Sequence, residues 1–159
     1  MVGTDASAAW KPPRSTCVRG GCVAEAAKPP RSCCRAALQP RRADSTEVVG
    51  NALAHKANGL GYRRIAAALG RSPSTVRRWL RRARDRGHLN RLWQRGAQQL
   101  IRLDADAFNA LATTGNLLRD ALTVLAAAAW WARRRLGIAA PVWTLIGLYT
   151  AGRLLAPPG

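Results

Sequence analysis

Residues Gly61–Ala83 read GYRRIAAALGRSPSTVRRWLRRA, and the spacing within this stretch predicts two helices joined by a tight turn. The first helix, from Tyr62 to Leu69, carries Ile65, Ala66 and Leu69 on one face. A bulky residue followed by a small one lets a second helix cross close above it. Gly70 comes next, where the turn needs a residue that tolerates positive φ without a Cβ penalty. Ser72 reads as the N-cap of the second helix. Pro73 takes its first position, where a missing N–H costs nothing. Val76, Trp79, Leu80 and Ala83 repeat at i, i+3, i+4 and i+7, the pattern of one buried helical stripe. This helix is expected to run to about Arg86, with Gly87 as its stop. The pattern is that of a helix-turn-helix.

The outward face of the second helix carries the functional expectation. At about 100° per residue, Ser74, Arg78 and Arg81 point directly away from the buried stripe. Thr75, Arg77 and Arg82 flank them. A helix of this kind suits the major groove of duplex DNA, with its first residues at base edges and its later arginines at phosphates or guanine. Its N-terminus, at Ser72, suits a phosphate, and Arg63, Arg64 and Arg71 are placed to grip the backbone alongside. The plainer alternative is a solvated charged face of a helical bundle. It leaves the small residue, the glycine and the Ser-Pro cap unexplained.

Working outward, Asp44 is expected to cap a helix, with Glu47 completing a capping-box-like pair. Val48, Val49, Ala52 and Leu53 form its apolar stripe, and Asn58-Gly59 ends it. Beyond the motif, Leu89–Leu103 reads as a helix with Leu89, Leu92, Trp93, Leu100 and Ile101 as its apolar set. Residues 104–115 are polar and small, with one further helical turn around Phe108. Leu117–Arg135 is a strongly apolar helix, and the apolar stretch Gly137–Leu155 is interrupted by Pro141 and Gly147. No strand is expected. The fold expected is all-α: a disordered basic leader over 1–40, a helix-turn-helix domain over 44–86 and a helical region over 88–155. In that last region Leu118, Leu122, Leu125 and Ala129 give a stripe for a helical hairpin. The hairpin packs either on the helix-turn-helix or on a second copy, the latter giving a homodimer with two DNA half-sites.

Charge supports the same partner. The chain has 26 Lys and Arg against 8 Asp and Glu, a formal +18. Residues 41–102 hold fifteen basic residues against three acidic, whereas 103–159 hold five against three. A positive field concentrated in the middle third favours a polyanion such as duplex DNA. GC-rich coding accounts for part of the arginine and alanine excess, but not for the helical placement of the arginines.

Other chemistry is sparse. Cys17-x4-Cys22 and the adjacent Cys33-Cys34 are the one metal-like feature. Neighbouring cysteines diverge and rarely share one zinc, so the favoured reading is an unstructured leader and no cofactor is expected. In the same segment Lys11-Pro12-Pro13-Arg14-Ser15 recurs as Lys28-Pro29-Pro30-Arg31-Ser32, too few copies for a repeat fold. The acidic residues beyond Arg86 are Asp104, Asp106 and Asp120. They lie on sequence that reads as helix, where a two-metal carboxylate site on a ribonuclease-H-like sheet has no room, so no catalytic residue and no enzyme activity are expected. His55 and His88 read as surface residues. The apolar runs in 117–155 are short for a membrane span, and a first span would place Arg133-Arg134-Arg135 on the far side against the positive-inside tendency. Trp130-Trp131 beside those arginines does resemble an interfacial anchor. A membrane-associated helical protein whose basic middle binds anionic lipid, at an inner membrane, is therefore the competing class. No secretory signal is read at the N-terminus, and the favoured location is the cytoplasm, on the nucleoid.

The stretch IAAALGRSPSTVRRWL, Ile65–Leu80, resembles the homeodomain-like helix-turn-helix of bacterial insertion-sequence transposases. The wider stretch from Pro40 to Arg84 is also similar to a group of uncharacterised high-GC bacterial helix-turn-helix proteins. Their apolar tail is similar to WTLIGLYTAGRLLAP, Trp143–Pro157 here. Members tend to carry a Cys-rich, zinc-ribbon-like segment before the motif. The resemblance implies a transposon-derived DNA-binding protein or a small transcriptional regulator.

Overall fold

The computed structural model describes residues 44–157. Seven helices and no strand occur among these residues: α1 (Thr46–Ala57), α2 (Tyr62–Leu69), α3 (Pro73–Arg82), α4 (Arg86–Leu103), α5 (Ala105–Asn109), α6 (Leu117–Leu136) and α7 (Val142–Tyr149). The leader over 1–40, with Cys17, Cys22, Cys33 and Cys34, lies outside the described residues. No described helix is long and apolar enough to cross a membrane.

The turn between α2 and α3 forms as expected. Gly70 sits at φ 60°, ψ 38°, and its N–H bonds back to the last turn of α2. Ser72 caps α3 by accepting from the Thr75 N–H at 3.3 Å, and Pro73 occupies the first turn. Val76, Trp79, Leu80 and Ala83 are all buried, as are Ile65 and Ala66 below them.

Two helix boundaries differ from expectation, each because a neighbouring side chain caps. Asp44 is not the cap of α1. Ser45 is, accepting from the Val48 N–H at 3.2 Å. Asp44 instead pairs with Arg71 at 2.9 Å, tying the start of α1 to the turn before α3. Glu47 therefore falls one residue short of capping-box register. The third helix also ends at Arg82, not Arg86, because Asp85 caps α4 by accepting from the His88 N–H at 2.6 Å. Arg86 and Gly87 open α4, and Gly87 stops nothing.

The C-terminal helices pack on the helix-turn-helix. Gly96 of α4 lies where α6 comes closest: a Cβ there would meet Val124 Cγ1 at 2.8 Å and the Leu125 backbone nitrogen at 3.0 Å. At the far ends of the same two helices, Arg135 pairs with Asp104 at 2.8 Å. The helices therefore run side by side in the same direction. The connection through α5 must return about 27 Å, the length of an 18-residue helix. Asp104 caps α5 by accepting from the Ala107 N–H at 2.8 Å. Trp93 meets Phe108 edge-on at 6.0 Å, which packs α5 back along α4. After Gly137, at φ 63°, the chain folds back as a hairpin into α7. There Trp143 covers Gly50 of α1 and donates from Nε1 to Asn51 Oδ1 at 3.1 Å.

A continuous apolar core joins these parts. Leu53, Ile65, Val76 and Trp79 of the first three helices share it with Leu92, Leu125, Ile146 and Leu154. Two further residues sit differently from expectation. Ile101, placed in the apolar set of α4, is 47% exposed, because α6 and α5 cover other sides of that helix. His88, expected at the surface, is buried at the start of α4 with Nε2 lacking a hydrogen-bond partner among the described residues. That burial pushes its pKa down, and Arg91 acts in the same direction. Backbone carbonyls of Leu154 and Arg153 oppose the shift in part.

Candidate nucleic-acid interface

Helix α3 presents its outer face because its inner face is fully used. With Val76, Trp79, Leu80 and Ala83 turned into the core, the helical period leaves Ser74, Arg77, Arg78 and Arg81 in solvent. None of these three arginines has a carboxylate partner among the described residues. At the N-terminal end, the Ser72 hydroxyl links two neighbours. It lies 3.1 Å from Ser74 Oγ and donates to Thr75 Oγ1 at 2.9 Å. The start of α3 thus carries a small hydroxyl cluster, followed by a cationic ridge.

The remaining residues singled out from the sequence take varied positions. Arg63 and Arg64 are exposed on α2. Arg63 lies over the Tyr62 ring at 5.8 Å and donates to its hydroxyl at 3.2 Å. Arg71 is 43% exposed and engaged with Asp44. Arg82 is half-buried, and its guanidinium donates through Nε, at 2.6 Å, and through Nη2 to the Ala156 carbonyl. Arg82 therefore holds the C-terminal segment onto the end of α3, while its neighbours Arg78 and Arg81 stay free.

The sequence reading missed a basic recess on one flank of α3. A cavity of about 360 Å³ is lined by Lys56, Tyr62, Arg77, Arg81 and Arg84, with Gly61 and Leu80 completing it. Among the described residues, four cations and no acid face it. Arg77, Arg81 and Arg84 recur at i, i+4 and i+7, a stripe legible in the sequence. Lys56 joins them only because the end of α1 folds beside the start of α2. Electrostatically this recess and the ridge of α3 are one positive surface, suited to a polyanion that lies along the helix.

Compared with known families, residues 45–97 match the homeodomain-like domain model. The match spans α1 to α3 and the first part of α4. No curated protein and no solved structure matches the chain. The chain carries a homeodomain-like helix-turn-helix domain within an all-α fold.

Proposed function

We propose that the homeodomain-like domain of this chain binds duplex DNA with α3 as its recognition helix. The observation that carries the proposal is the exposed face Ser74–Arg77–Arg78–Arg81, free of acidic partners among the described residues, on a helix pinned over α2 by the Gly70 turn. In this arrangement Ser74, Thr75 and Arg78 face base edges in the major groove, and Arg77 and Arg81 face phosphates or guanine. Ser72, Arg63, Arg64 and Arg71 approach the sugar-phosphate backbone at the N-terminal side. Arg71 reaches it by exchanging or sharing its contact with Asp44. Arg82, engaged with Ala156, serves the interface chiefly by fixing the end of α3.

The reading is one of sequence-directed binding, in a transposon-derived protein or a small transcriptional regulator acting at the nucleoid. It assigns no catalytic residue: Asp104 caps α5 and pairs with Arg135, and Asp120 accepts from Thr114. One helix reads few base pairs, so two copies joined through the C-terminal helices would give two half-sites about one helical turn apart. Sedimentation of the full chain at micromolar concentration tests that pairing, and a monomer there removes it.

A mobility shift with full-length protein at two salt concentrations tests the main proposal. Binding should weaken steeply as salt rises. The double variant Arg78→Ala, Arg81→Ala should bind far more weakly with an unchanged helical spectrum. Salt-insensitive binding, or full binding by that variant, contradicts the proposal. Recovery of the protein with anionic vesicles instead of duplex would favour the membrane-associated class.

A further inference from the structure

The basic surface continues past the end of α3 into helices outside the homeodomain-like segment. A second cavity, of about 450 Å³, opens where α1 and α3 end and where α4 and α6 begin. It shares Lys56, Leu80 and Arg84 with the first, so the two form one groove along the flank of α3. Lys56, Arg84 and Arg86 supply its cations, and no acid among the described residues lines it. Its far wall is the start of α6, Gly115–Leu118, beyond the matched residues 45–97.

The nearby acids are committed elsewhere. Asp85 accepts from the His88 N–H, and Asp120 accepts from the N–H and hydroxyl of Thr114. Arg119 is committed too: its Nη2 donates to the Ala57 carbonyl at 2.8 Å, holding the start of α6 against the end of α1. The wall is thus fixed in place while Lys56, Arg84 and Arg86 have no ion-pair partner among the described residues.

We infer that this second groove holds a backbone phosphate of the same duplex that α3 reads, so that the C-terminal helices extend the DNA footprint. The inference rests on the DNA-binding reading above and adds a site to it. A phosphodiester strand lying along Arg77 and Arg81 meets Arg84 next, then Lys56 and Arg86, without leaving positive potential. Each such contact releases condensed counterions and steepens the salt dependence without adding sequence preference. The continuity of the groove with the α3 flank favours duplex over an isolated acidic peptide.

The experiment is a fluorescence-anisotropy titration of the full chain with a labelled generic duplex across a salt series. Asn116 caps α6 by accepting from the Arg119 N–H at 3.3 Å. Asn116→Asp keeps a capping acceptor but adds a negative charge to the wall, and Asn116→Ser keeps an acceptor without charge. Arg86→Gln removes one cation from the rim. Asn116→Asp and Arg86→Gln should weaken binding roughly three- to ten-fold at low salt, and Arg86→Gln should reduce the log–log salt slope by about 0.9. Asn116→Ser should bind as wild type, and all three should melt as wild type. Wild-type affinity and slope for both charge variants, with Arg78→Ala, Arg81→Ala still defective, overturns the extended footprint and leaves α3 as the reader. Absence of duplex binding by the unmodified chain overturns both.

Discussion

The arginines of the two halves of this molecule are used differently. In the C-terminal helices three of them serve the fold: Arg95 donates to the Thr150 carbonyl, Arg119 to the Ala57 carbonyl, and Arg135 pairs with Asp104. Arg134 and Arg135 also lie over the rings of Trp130 and Trp131 at 5.3 Å. On α3, by contrast, Arg77, Arg78 and Arg81 find no acid among the described residues and stand in solvent. Unpaired like charges on one helix repel, so this ridge is a small cost to the fold that a bound polyanion would offset. The contrast teaches that arginine count alone is a poor guide to an interface: several uncommitted arginines on one helix face are what make α3 the candidate.

The largest expected effect tests whether the two halves are one folding unit. Trp79 is 1% exposed and sits in the core they share. Trp79→Ala should cost about 3–5 kcal/mol, and calorimetry should show both halves melting together. Separate transitions would break the comparison into two independent domains. Next, Gly96→Val drives a side chain into Val124 and the α6 backbone and should destabilise by about 1–3 kcal/mol. Denaturant titration checks this, and no change would mean α4 and α6 are not in close contact.

Arg82 sharpens the contrast from inside α3. Arg82→Met should lower stability by about 1–3 kcal/mol through loss of its bond to Ala156. Once corrected for unfolding, duplex affinity should change little. Arg78→Ala should do the reverse, with melting unchanged and affinity lowered by about 1–3 kcal/mol if it reads a base. Identical behaviour of the two variants would erase the distinction between committed and free arginines.

The smallest effect is one of pH. Burial holds His88 neutral and its pKa low, so the unfolded chain binds the proton more readily. Stability should therefore be complete above the ordinary histidine pKa, about 6.5, and fall as pH drops below it. His88→Gln should flatten that slope in thermal melts at pH 5 and 7. An unchanged slope would place the pH dependence on another group.

The helix-turn-helix was readable from sequence because its signals are local. Gly70, the Ser72-Pro73 start and the stripe from Val76 to Ala83 each act within one turn of chain. The misplaced boundaries arose where two local signals compete. Asp44 and Ser45 both qualify as caps, and Asp85 and Gly87 both as breaks. The ion pair with Arg71, 27 residues away, and the bond to His88 settle these choices. Ile101 and His88 were misassigned because which sides of α4 are covered depends on α5, α6 and the segment after α7. Those elements pack only after distant chain returns, and the parallel pairing of α4 with α6 has no local signature. For the same reason Arg82 reads as an outward cation until Ala156 arrives beside it. Lys56 and Arg86 read as scattered charges until four helix ends meet beside Arg84.

The most direct test of the central claim is residue-resolved. Amide chemical shifts of the full chain, followed through a titration with duplex DNA, should move first and most at Ser74, Thr75, Arg78 and Arg81. Trp130 and Leu136, at the far end of α6, should remain still. Saturable shifts confined to that far end, with the amides of α3 unmoved, would contradict the account.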